Sequence, residues 1–187
     1  MSTILGLDVS TSATGFCILD LEGNLLDLGY ISLSKTKDLV SKGSQFRIWL
    51  QDKKHEYNIS EVYIEEPLQR YASGMSSART ITRLASFNGI VQYICFDEIS
   101  VKPELISVSE ARKLCGIKTI SKKKAGKDVK EQVFDWVNNH LNYNWPTKIL
   151  QSGPRKGKTI IIPESRDMAD AWVVTKAGFV KNSNSAV

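Results

Sequence analysis

Four carboxylates in this chain stand where side chains can do chemistry. Asp8 ends the apolar run "TILGLD", and Glu65 ends a second run, "VYIE". Asp167 and Asp170 lie three residues apart in "SRDMADAWVVTKAGF", on one face of an expected helix. Taken singly, each has a plain reading. Acids in a first helical turn favour the macrodipole, and an acid after a strand often just opens a loop. Taken together, acids that converge from buried ground repel one another unless a cation lies between them. Hard oxygen ligands of this kind suit magnesium, with manganese as a substitute. Two such ions about 4 Å apart activate a water and stabilise a leaving oxygen.

The basic residues suggest what the acids act on. The net charge is only +5, but residues 116–130, "GIKTISKKKAGKDVK", carry six lysines against one aspartate. A second stretch, "KILQSGPRKGK" at 148–158, is wholly basic. One lysine run usually reads as a solvated face, whereas two that flank one expected helix point to a polyanion. Lys122, Lys123, Lys124, Lys127, Arg155, Lys156 and Lys158 are the candidate contacts, to phosphate rather than to bases. Acids and basic segments together read as metal-assisted phosphodiester hydrolysis.

The elements that must position these groups follow from periodicity. "TILGLDV" reads as a buried strand, and "TGFCILDLEGNLLDLGYISL" as a hairpin turning at "EGN". Residues 38–57 read as an amphipathic helix, and "EVYIEEPL" (61–68) as a strand stopped by Pro67. Helices are expected at 76–96, after "LISV" with Ser109 as cap and Gly116 as stop, at 130–141, and at 165–179 with Ser165 as cap. The tail 181–187 is expected to fray. The fold class is therefore α/β, a mixed sheet with helical cover, in one domain over residues 1–180.

Composition narrows the setting. At 187 residues, 42% hydrophobic and 24% charged, the chain is an ordinary globular sequence. No apolar stretch approaches the roughly 20 residues that span a bilayer. The start lacks a basic signal-peptide region, so a cytoplasmic setting is expected. Three scattered cysteines read as reduced core thiols, and two distant histidines without a CxxC argue against zinc.

"GLDVSTSATGF", "YIEEPL", "KEQVFDWV" and "DMADAW", in this order and at these distances, resemble the RuvC-type Holliday junction resolvases of the ribonuclease H-like superfamily. The resemblance runs from about Thr3 to Gly178 and implies a five-stranded ribonuclease H-like sheet. It also implies a homodimer that cleaves four-way DNA junctions. Asp8, Glu65, Asp167 and Asp170 match the family's metal-binding catalytic acids, with two magnesium ions per site. Lys130, with Lys127 as rival, matches a catalytic-site lysine. Arg70 and Tyr71, in the loop after Glu65, match a neighbourhood that reaches the junction centre. The small residues of the helix at 76–96 suit a dimer contact. The chain departs from the family where "DVS" replaces "DPG", a form closer to viral relatives, for which the setting would be the host cytoplasm. Glu66 stands where bacterial members have glutamine, leaving open which of Glu65 and Glu66 faces the metals; the register of "YIE" favours Glu65.

Two readings compete. "LGLDVSTSATG" is also similar to the first phosphate loop of actin-like and sugar-kinase phosphotransferases. That fold needs two such domains, and no second Asp-Gly-Thr loop is present. The other is a non-catalytic module that binds branched DNA.

Overall fold

The computed structural model of the protein describes residues 2–67 and 77–185. Its first strand, β1 (Ser2–Asp8), sorts the chain into two layers, because successive side chains leave a strand on opposite faces. Leu5 and Leu7 join one core, while Ile4 joins the other. β2 (Ala13–Asp20) pairs antiparallel with β1, and β3 (Leu25–Ser32) pairs antiparallel with β2, so that β3 runs in the direction of β1. The turn between them uses Gly23 at φ 83°, and Asp20 accepts hydrogen bonds from the amides of Glu22 and Asn24. β4 (Asn58–Glu65) runs parallel to β1 on its other side, and β5 (Glu104–Ile106) runs parallel to β4. The order β3-β2-β1-β4-β5 is the mixed five-stranded sheet expected.

Helices α1 (Leu39–Glu56) and α2 (Ala78–Ile99) cover one face, with Phe46, Leu50, Phe87 and Val91 packed on Leu5, Leu7 and Ile18. The opposite face carries α3 (Val108–Leu114), α5 (Val129–His140) and α6 (Ser165–Ser185), through Ala111, Val133, Val137, Trp172 and Ala177. Between α3 and α5 lies the short exposed helix α4 (Lys122–Ala125). No helix of the described residues is long and apolar enough to cross a membrane.

Several local expectations are corrected. Ser107, not Ser109, caps α3, its hydroxyl accepting from the Glu110 amide at 3.2 Å. Ser165 is no cap: it is fully buried inside the first turn of α6, and its Oγ has no hydrogen-bond partner. The basic stretch at 148–158 lies in a hairpin absent from the sequence reading: it supplies the end of β6 (Thr147–Ile149) and the whole connection to β7 (Thr159–Ile161), with Gly153 and Gly157 at positive φ. β4 starts three residues earlier than expected and ends at Glu65. α6 continues through Lys181 to Ser185, where fraying was expected.

The sheet and α6 meet without room for side chains at two strand glycines. A Cβ on Gly15 would lie 2.1 Å from the Asp167 carbonyl oxygen, and one on Gly6 would lie 2.0 Å from Thr175 Oγ1. This close approach sets the N-terminus of α6 directly over β2.

Candidate active site

Asp8 is the last residue of β1, and its strand partner is Gly15. Glu65 is the last residue of the parallel neighbour β4. Two parallel strands end at the same edge of a sheet. Parity then assigns the face: Asp8 falls on the side of Ile4, and Glu65 on the side of Tyr63, both in the core beneath α6. Gly15 brings the first turn of α6 to that edge, and with it Asp167 and Asp170. Lys130, at the start of α5, completes the cluster. Its ammonium lies 3.4 Å from Asp167 Oδ1 and 3.3 Å from Asp170 Oδ2.

The acids perturb one another. Burial, then the charges of Glu65 and Asp170, hold the Asp8 carboxyl well above its ordinary range, against the pull of Lys130. Burial, then Asp170, pushes Glu65 up to about 7, opposed by Lys130 and Arg112. Asp167 and Asp170 are raised by burial, with Lys130 pulling both down. Burial works against the Lys130 charge, but Asp170, Asp8 and Asp167 together raise its pKa. Lys130 is thus the internal counter-charge of the cluster.

The donor set fits a hard divalent cation. It consists of oxygen acids alone, and their raised pKa values mark a deficit of positive charge that a cation would remove. As the side chains stand, no three acids, histidines or cysteines among the described residues close to metal-ligand spacing. The Lys130 ammonium sits between two of them instead.

A pH dependence follows. Groups whose folded pKa is raised stabilise the fold below their unfolded pKa, and that contribution is lost as pH rises through the folded value. For Glu65 the window runs from 4.5 to about 7, worth on the order of 3 kcal/mol. Asp20, Asp38 and Glu98 are held low by hydrogen bonds and act below it. The melting temperature of metal-free protein should therefore fall between pH 5 and about pH 8. Magnesium should raise it more at the upper end, where its ligands are ionised. A melting temperature that climbs across this window without metal would contradict the cluster.

The other expected residues separate. Lys127 pairs with Asp135 at 2.6 Å, so among the lysines of this segment it is Lys130 that meets the acids. Glu66 lies beyond the end of β4, its amide donating to the Ile106 carbonyl. Lys122, Lys123 and Lys124 form the exposed α4, and Arg155, Lys156 and Lys158 lie exposed toward the end of the β6–β7 hairpin. Arg70 and Tyr71 lie outside the described residues. Sequence reasoning missed Arg112, whose charge reaches both Glu65 and Asp170. Its signal was the strand–helix pair at 104–114: β5 pairs beside β4, Ile106 opposite Glu65, so its helix starts at the same edge.

No protein-family model matches this chain, and no curated protein matches it. Solved structures are similar over nearly its whole length. One is Thermus thermophilus RuvC in complex with a Holliday junction substrate, at 14% identity and a TM-score of 0.64, over 99% of this chain and 98% of that one. Another is the yeast mitochondrial Holliday junction resolvase Ydc2, at 16% identity and 0.55, over 99% and 82%. A third is the fowlpox virus resolvase, in complex with its substrate Holliday junction DNA, at 13% identity and 0.52, over 96% and 98%. At these identities the likeness is one of fold, and the chain has the RuvC-type ribonuclease H-like fold.

Proposed function

We propose that this protein is a divalent-metal-dependent endonuclease that cleaves four-way DNA junctions, or closely related branched DNA, by phosphodiester hydrolysis. The observation that carries this reading is the convergence of Asp8, Glu65 and the Asp167–Asp170 pair, with Lys130, at one edge of the sheet. The fold neighbours, two of them solved with Holliday junction DNA, supply the substrate class.

In this reading Asp8, Glu65, Asp167 and Asp170 would hold two magnesium ions, with manganese as a substitute. When bound, such ions neutralise charge on the phosphate and lower the pKa of water. The protein's own groups do the rest. The four acids, ionised once a cation is present, orient the site from two rigid strands and a helix. Lys130 keeps its proton on Nζ throughout the neutral range and offers fixed positive charge to the phosphate. Arg112 adds a second cation from α3.

The protein would act as an isologous dimer, so that two sites meet opposed strands. The outer face of α2 supports this. Tyr93 is 62% and Phe96 54% exposed, and Gly89 beside them has nothing within 4 Å of a built Cβ.

The decisive assay presents branched and linear DNAs with magnesium or manganese. Paired nicks in the four-way junction are expected. Binding without nicking in either metal would leave a non-catalytic module, and ATP turnover would favour a phosphotransferase. Replacing Lys122, Lys123 and Lys124 with alanine should weaken binding and lower the slope of log K against log salt by about 2–3, as the loss of three phosphate contacts requires. An unchanged slope would remove α4 from the DNA track.

A further inference from the structure

The basic segments legible in the sequence lie on the α5 and α6 side of the sheet. The opposite side carries a second set of cations at the same edge. β3 runs parallel to β1, so the connection from Ser32 to Leu39 emerges beside the acids. That connection bears Lys35 and Lys37, both exposed, and Lys42 follows in α1. The first turns of α2 bear Arg79 and Arg83, also exposed.

Contacts tie these cations to one another and to the site. The Arg83 guanidinium donates to the Lys37 carbonyl. The Lys42 side chain is buried, and its ammonium donates to the carbonyls of Thr11, at 2.6 Å, and of Leu33. Thr11 follows Asp8 by three residues, no more than about 11 Å of chain. Burial first, and then the nearby Arg83 charge, lower the Lys42 pKa, against the opposing charge of Asp38. One acid accompanies these five cations, Asp38, and its carboxylate is engaged as the cap of α1, accepting from the Ser41 amide at 2.8 Å. None of the five takes part in an ion pair of the described residues. Concentrated positive charge that is not neutralised by ion pairs binds an extended polyanion.

We propose that the β3–α1 connection and the start of α2 form a second phosphate-binding surface, which holds a DNA arm on the far side of the cleavage point. Lys35, Lys37 and Arg79 make the contacts. Lys42 and Arg83 hold the surface together through main-chain carbonyls. This assignment rests on the nuclease reading and adds to it: the acids lie between two basic flanks, α4 and the β6–β7 hairpin on one side, this surface on the other. DNA that leaves the cut in two directions engages both, and a short linear duplex is held by one.

The test is Lys35→Ala, Lys37→Ala and Arg79→Ala in one full-length variant, which leaves the Lys42 and Arg83 hydrogen bonds in place. Binding to a four-way junction and to a linear duplex is followed by fluorescence anisotropy in EDTA, across a salt series. Junction affinity should fall at least about tenfold at near-physiological salt, and the junction salt slope should drop by about 2–3. Linear duplex affinity should change less than about twofold. Wild-type junction affinity and slope in the variant would overturn the proposal. Equal losses on both DNAs would overturn the assignment to a second arm. If the wild-type protein bound neither DNA, the nuclease reading itself would fail, and this inference with it.

Discussion

Asp8→Asn will abolish junction cleavage, by at least about a thousandfold, while leaving junction binding within a few-fold of wild type. The substitution keeps size and shape but removes the charge that a hard cation needs. Phosphate contacts on the basic flanks are untouched, so affinity stays. The same variant should melt higher than wild type at pH 8 without metal. Asp8 is buried and faces Glu65, Asp170 and Asp167, so its ionised form opposes folding and the neutral amide does not. The stability gain should shrink as pH falls, because the raised pKa returns the wild-type carboxyl to its neutral form in the folded protein before an ordinary aspartate would be protonated. Lower activity with higher metal-free stability is the signature of a strained charge cluster. Cleavage at the wild-type rate would refute the site, and a lower melting temperature at pH 8 would refute the electrostatic account of it.

Among the glycines of the described residues, Gly15→Ala should be the most damaging substitution to alanine. The new Cβ would stand 2.1 Å from the carbonyl oxygen of Asp167, 2.4 Å from its carbon and 3.0 Å from the Met168 amide nitrogen. All three are backbone atoms of α6, so no rotamer change relieves the clash. Either α6 lifts off β2 or the strand bends. The cost should reach about 3 kcal/mol or more, the upper range for overpacking. Lifting α6 also carries Asp167 and Asp170 away from Asp8 and Glu65, so whatever protein folds should have lost cleavage. Gly89→Ala is the stability contrast within one protomer, and because Gly89 lies on the proposed dimer face, cleavage is not read from it. A Cβ there meets nothing within 4 Å, and alanine should favour the helix by about 1 kcal/mol. If Gly15→Ala melted and cleaved like wild type, the close packing of α6 on β2 would not be what sets the site.

Much of the fold was legible because it is written locally. The apolar run of β1, the turn residues around Gly23 and a strand end near Pro67 each depend on a few neighbouring residues. Strand parity favoured Glu65 over Glu66, since a strand sends successive side chains to opposite faces. The local reading failed where two signals of similar strength competed. Ser107 and Ser109 both make good caps, and the strand that ends at Ile106 decided between them. The hairpin around the basic stretch was not legible because its two strands are three residues long, and Ile149 and Ile161 on them remain exposed.

The sequence by itself determined the inventory: four acids at the ends of elements, and lysine runs beside them. Only the tertiary structure decided which of these meet. Lys127 and Lys130 are equivalent on paper, yet one pairs with Asp135 and the other with Asp167 and Asp170. Arg112 comes to the edge that carries the acids because β4 runs parallel to β1 and β5 parallel to β4, and the cations of the β3–α1 connection come there because β3 runs in the direction of β1. Periodicity and turn chemistry act over a few residues, whereas strand order joins segments dozens of residues apart. A pattern that spans a few residues cannot encode that order, so the partners of each charge became visible only in the folded chain.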